Sequence, residues 1–125
     1  MSKAPGEVSD YDGSGDWFKI AAIGPSFKSS CSATWDLSKS YKVTIPKSVP
    51  SGNYLLRAEQ LGIHNPGSTP QFYVNCAQIT VTGGGSGVPS PTVKIPGHIT
   101  GKESGYTANI YSNVSTGSSA FESID

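Results

Sequence analysis

Apolar and polar positions alternate with a period of two in several stretches of this chain, and no stretch carries a sustained 3.6-residue apolar stripe. That pattern predicts strands rather than helices. The clearest strand lies in QFYVNCAQITVTG, residues 71–83. Phe72, Val74 and Cys76 face one way, and Gln71, Tyr73, Asn75, Ala77, Ile79 and Val81 face the other. YLLRAEQLGI (54–63) begins as a strand directly after the turn PSGN (50–53). YKVTI (41–45) sets Tyr41, Val43 and Ile45 against Lys42 and Thr44, and WFKIAAIG (17–24) follows a Gly/Asp-rich turn. Both read as strands. Late in the chain, GYTANIYSN (105–113) alternates through Tyr106, Ala108 and Ile110 and predicts one more short strand. Strands set off by Pro/Gly turns at short intervals predict an all-β, antiparallel sandwich of immunoglobulin or fibronectin type.

Between the clearest strand and the last one the texture changes. TGGGSGVPSPTVKIPG (82–97) is rich in Gly, Pro and Ser and reads as a linker or a long surface loop. The strand pattern that follows makes it a loop, 82–104, inside one domain spanning 1–114. VSTGSSAFESID is small and polar, so 115–125 is expected to be a flexible tail.

Composition narrows the function classes. A chain of 125 residues fits one domain. Nine basic and nine acidic side chains cancel, which leaves no basic field for nucleic acid. Apolar runs such as Ile20–Ile23 are far too short to span a bilayer, and the first twenty residues lack the apolar core of a signal peptide. Abundant Ser, Thr, Gly and Pro with few Lys and Glu suit a turn-rich β-protein of extracellular character. Cys31 and Cys76 have neither zinc-site nor thioredoxin-like spacing. They can pair with each other, or either can be a lone thiol.

One group of residues carries chemistry. Gln71 and Tyr73, at i and i+2 on a strand, leave the same face, and the sharp turn in HNPGSTP can fold His64 back towards them. A phenol is a weak axial metal ligand, while an imidazole and an amide can hold a small oxygen species by hydrogen bonds. The plainer reading is a tyrosine packed on a sheet and a histidine capping a loop. Asp10, Asp12 and Asp16 lack the spacing of an EF-hand and read as a polar turn. Trp17 and Trp35 read as packing residues rather than sugar platforms. Asn113-Val114-Ser115 is a glycosylation sequon. Neither a Ser-His-Asp arrangement nor carboxylates paired for glycoside hydrolysis are evident.

The stretch IPKSVPSGNYLLRAEQLGIHNPGSTPQFYVNCAQITVTG resembles the C-terminal half of the fungal lytic polysaccharide monooxygenases of auxiliary activity family nine, formerly glycoside hydrolase family sixty-one. The shared pattern is a Pro-rich turn, G-x-Y-L-L-R-x-E, a histidine, and Q-F-Y-x-x-C-A-Q. MSK followed by a Gly/Asp-rich segment and WFK, and PSPTVKIPG with GYTANIY, extend the resemblance from Met1 to about Val114. It implies a secreted, monomeric copper enzyme that cleaves cellulose or a related β-glucan oxidatively at C1 or C4, using an external electron donor. It places Tyr73 at the axial copper position and His64 and Gln71 in the outer sphere. Cys76 corresponds to a cysteine that the family bonds to one in its N-terminal half. Tyr106 falls where a late loop offers a ring to the polysaccharide.

The family holds copper in a histidine brace, made by an N-terminal histidine and a second histidine side chain. Position 1 here is Met1, and His98, after Pro96-Gly97, matches no ligand position. The resemblance therefore implies a sandwich incomplete at its N-terminal side, inactive alone, with an exposed strand edge and an uncovered apolar face. Cys76, without its family partner, is not expected to bond Cys31. The alternative is a non-catalytic polysaccharide-binding or structural β-sandwich module.

Overall fold

The computed structural model describes residues 1–28, 32–64, 70–103 and 106. Its strands are β1 (Ser2–Lys3), β2 (Ser26–Lys28), β3 (Ser32–Thr34), β4 (Gly52–Gly62) and β5 (Gln71–Val81), with one 3₁₀ turn at Val8–Asp10. β1, β4 and β5 form a sheet in that order, and β2 pairs with β3. β1 lies antiparallel to β4, with Ser2 opposite Leu55 and Lys3 opposite Tyr54. β2 and β3 are antiparallel, with Phe27 opposite Ala33. The long alternating stretches became the two eleven-residue strands. Their connection, 63–70, is too short for a parallel crossover and makes them a hairpin.

The chain divides into two compact units, and β4 and β5 contribute to both. The first unit comprises 1–21, 42–59 and 74–98. Its core is built from Met1, Val49 and Tyr54, with Phe18, Ile20, Ile45, Leu56, Ile79 and Val81 packed around them. Tyr54 is 1% exposed. Its ring meets Phe18 edge-on at 6.3 Å between centroids, and its hydroxyl donates to the Pro50 carbonyl at 2.8 Å. Burying a tyrosine is favourable when its hydroxyl finds an acceptor, and this one does. Desolvation pushes the Tyr54 phenol above its ordinary pKa.

Two expected strands are much reduced. Among the described residues, Trp17 alone of 17–24 enters a ladder, and 41–45 enters none. Trp17 bridges Ser2 on one side and Val93 on the other, through Trp17 N–H to Val93 O at 2.8 Å and the return bond at 2.9 Å. Residues 18–24 take part in no ladder among the described residues. Trp17 is buried, as expected of a packing residue, and its Nε1–H donates to the Gly13 carbonyl. Trp35, by contrast, is exposed.

The glycine run is held tightly. Gly85 N–H donates to the Val49 carbonyl at 3.0 Å, Gly87 N–H to the Ser48 carbonyl at 2.8 Å, and Gly84 N–H to Ser51 Oγ at 2.8 Å. A Cβ on Gly84 would lie 2.3 Å from the Val49 carbonyl oxygen. Gly84, Gly85 and Gly87 have no room for a side chain because backbone lies against backbone.

The aspartate turn is a polar turn, as read from its spacing. Asp12 Oδ1 accepts from Ser14 N–H at 2.9 Å, and the Ser14 hydrogen bonds hold its carboxyl below the ordinary value. Asp16 pairs with Lys94 at 3.0 Å.

Candidate functional site

The second unit comprises 22–41, 60–73 and the residues from Ile99 onward. Within it the end of β4 and the start of β5 bring together the residues singled out from the sequence. The Tyr73 hydroxyl donates to Gln71 Oε1 at 2.8 Å, a contact that the two-residue period of a strand makes available. Tyr73 is 56% exposed, and Gln71 and His64 are exposed as well.

Gly62, which the sequence reading passed over, lies close to both rings. A Cβ placed on it would stand 3.3 Å from His64 Nδ1 and 3.4 Å from Tyr73 Cε2. Both rings therefore border the same α-carbon. Any larger residue would compete with them for that space. The sequence signal for this was available in L-G-I-H: a glycine closing a β-rich run marks close approach by another group.

Chemically, the bond from Tyr73 to Gln71 orients both groups. With its proton committed to the amide oxygen, the phenol presents oxygen lone pairs outward, and the Gln71 NH₂ is left as a donor. The imidazole of His64, beside the same glycine, adds a nitrogen. The result is an exposed patch of mixed donors and acceptors. Among the described residues, no three His, Cys, Asp or Glu side chains converge as a metal cage.

The remaining candidates lie apart from this arrangement or outside the described residues. Tyr106 is 7% exposed and packs on Phe72 with ring centroids 5.8 Å apart and a 59° tilt. Its N–H donates to the Glu103 carbonyl at 2.9 Å, a turn contact rather than a ladder. Among the described residues its ring stands behind Phe72. Cys76 is an exposed free thiol. Cys31, Asn113, most of 105–113 and the 115–125 tail lie outside the described residues.

An all-β protein of sandwich type with this strand pair defines the class, and comparison with known proteins gives the family. Residues 1–120 match Auxiliary Activity family 9 (formerly GH61), and the chain belongs to that family. It is 58% identical over 116 residues to AA9 family lytic polysaccharide monooxygenase A of Botryotinia fuckeliana, covering 90% of this chain and 36% of that protein. To the monooxygenase E of Podospora anserina it is 56% identical over 115 residues, covering 90% of this chain and 38% of the relative. The monooxygenase C of Emericella nidulans is 45% identical over 121 residues, 93% of this chain and 52% of its own length. The chain thus spans between about a third and a half of the relatives it matches.

Proposed function

We propose that this chain supplies the tyrosine side of a lytic polysaccharide monooxygenase site. In this reading Tyr73 would present its phenol oxygen to the copper, and His64 with Gln71 would form the hydrogen-bonding group beside it. The observation that carries the proposal is the 2.8 Å bond from Tyr73 to Gln71, with His64 and Tyr73 against the same α-carbon. The substrate class is cellulose or a related β-glucan, oxidised at C1 or C4 in the extracellular space with an external electron donor. Copper, when bound, supplies the activation of dioxygen or peroxide.

The donor set present does not fit copper as an anchor. Copper prefers several nitrogen ligands, and this patch offers one imidazole, one amide and one phenol. The role assigned to these residues is therefore positional: Tyr73 presents an oxygen, the Gln71 NH₂ donates outward, and His64 contributes a second polar group. We also assign 1–114 to the C-terminal part of the family's sandwich and 115–125 to a tail. The same donor set favours a second reading, in which this chain by itself is a polysaccharide-binding or structural module without catalysis.

The test is calorimetric titration with Cu(II) followed by a reductant-driven assay on cellulose. The expected result is weak binding and no oxidised oligosaccharides from the chain alone. Activity should appear in a chimera that carries this chain in place of the matching segment of a longer relative. Replacing Tyr73 by Phe in that chimera should lower activity; an unchanged rate would remove Tyr73 from the site. Sub-micromolar binding by the chain alone, abolished by His64→Ala, would show a different copper site.

A further inference from the structure

The bond between Tyr73 and Gln71 does not hold itself in place. It lies in the open, where water competes for both partners, so its geometry depends on the backbone that carries them. That backbone is Gln71, Phe72 and Tyr73, the first three residues of β5, and a strand end is the part of a sheet that opens most readily. Neighbours along a strand point to opposite faces, so Phe72 points away from both residues of the pair. Fixing the direction of Phe72 therefore fixes Gln71 and Tyr73 together. Tyr106 supplies that hold. Its ring packs on Phe72 with centroids 5.8 Å apart at a 59° tilt, and it is 7% exposed where Phe72 is 39% exposed. Tilted aromatic pairs at this distance attract beyond the area they bury. The backbone of Tyr106 is anchored in turn. Its N–H donates to the Glu103 carbonyl at 2.9 Å, and Glu103 Oε1 accepts from Thr100 N–H at 2.7 Å and from Thr100 Oγ1 at 2.8 Å. All of these residues lie in the second unit.

We propose that Tyr106 is a positioning residue for the pair of Tyr73 and Gln71, acting through Phe72. The proposal rests on the monooxygenase reading of that pair and adds to it the group that holds the pair in register. The Glu103 carboxylate fastens the turn, the turn seats the ring of Tyr106, and the ring holds Phe72. Phe72 then sets the face on which Tyr73 and Gln71 meet. The contact is ring to ring, so the ring of Tyr106 carries this role and its hydroxyl does not. The role differs from the sugar contact that resemblance implies for Tyr106. The two separate by experiment, because a stacking ring acts on affinity for the polysaccharide and a positioning ring acts on Tyr73.

NMR on the chain tests this without catalysis. The wild-type chain should show nuclear Overhauser contacts between the Phe72 and Tyr106 rings, and between the Tyr73 ring and the Gln71 side chain. In Tyr106→Leu the second set should fade, and the amides of 71–73 should exchange about tenfold faster while those of 54–57 in the first unit are unchanged. Tyr106→Phe keeps the ring and should restore both. Tyr73 signals untouched by Tyr106→Leu would overturn the proposal. So would loss of protection at 54–57 as well, since the ring would then hold the fold and not the pair. In the chimera with a longer relative, Tyr106→Leu should lower kcat, Tyr106→Phe should restore it, and Tyr106→Leu should add nothing to the loss caused by Tyr73→Phe, because both act on one group. Losses that multiply, or a raised KM for cellulose with kcat unchanged, would place Tyr106 on the substrate instead. If Tyr73→Phe leaves activity intact while the NMR changes are seen, the monooxygenase reading of Tyr73 fails and the hold of Tyr106 on the pair stands.

Discussion

The hydroxyl of Tyr73 donates to the side-chain oxygen of Gln71 at 2.8 Å, two residues along the same strand, in the open. An exposed bond of this kind costs little to remove, because water replaces the partner. Tyr73→Phe is therefore expected to change stability by less than about 1 kcal/mol, measured by urea denaturation. A loss several times larger would mean that the pair holds the fold instead of dressing a surface.

Gly62 should be the more sensitive position of that site. Gly62→Ala adds a methyl 3.3 Å from His64 Nδ1, which must give by a few tenths of an ångström, and 3.4 Å from Tyr73 Cε2, in van der Waals contact. The expected outcome is a change in the ring proton shifts of both His64 and Tyr73 by NMR, with modest loss of stability. Unchanged shifts would mean that the two rings do not share that α-carbon.

A larger effect is expected at Gly84. Alanine there meets backbone atoms of Val49, Pro50 and Ser51, which cannot rotate away as a side chain can. Gly84→Ala is expected to destabilise by about 3 kcal/mol or more in thermal or chemical unfolding. A neutral substitution would show that 82–88 is loose.

Tyr54 separates packing from hydrogen bonding. Tyr54→Phe keeps the ring against Phe18 and removes the donor to Pro50, at a cost of about 1 kcal/mol. Tyr54→Ala should cost about 3–5 kcal/mol, because the first unit has few other fully buried side chains.

Glu103 carries the pH dependence of its turn. The Thr100 N–H donates to Glu103 Oε1 at 2.7 Å, and this backbone hydrogen bond, with others in the turn, holds the carboxyl at about 2 against an ordinary 4.5. A depressed carboxylate pKa means that the folded state binds the proton less readily than the unfolded chain. The contribution is therefore complete above 4.5 and is lost as pH falls towards about 2. The Thr100 amide shift, followed by NMR, should titrate with a midpoint near the lower value; a midpoint near 4.5 would count against the bond.

The two long strands were legible in the sequence because alternation is a local property: side chains on a strand point to opposite faces whatever the strand packs on. The pairing of Gln71 with Tyr73 was legible for the same reason. The family was legible from G-x-Y-L-L-R-x-E and Q-F-Y-x-x-C-A-Q, which lie within one hairpin. Residues 41–45 alternate too, and 17–24 read as a strand after a turn, yet a strand also needs a neighbour to bond, and a local pattern does not say where one will be. Only the tertiary structure decided that Gly84–Gly87 lies against Ser48 and Val49, since missing side chains fit a loose linker and a close backbone contact equally well. Tyr106 was decided the same way. Its aromatic character was plain, but whether a ring meets solvent or another ring depends on what packs over it, and here Phe72 does.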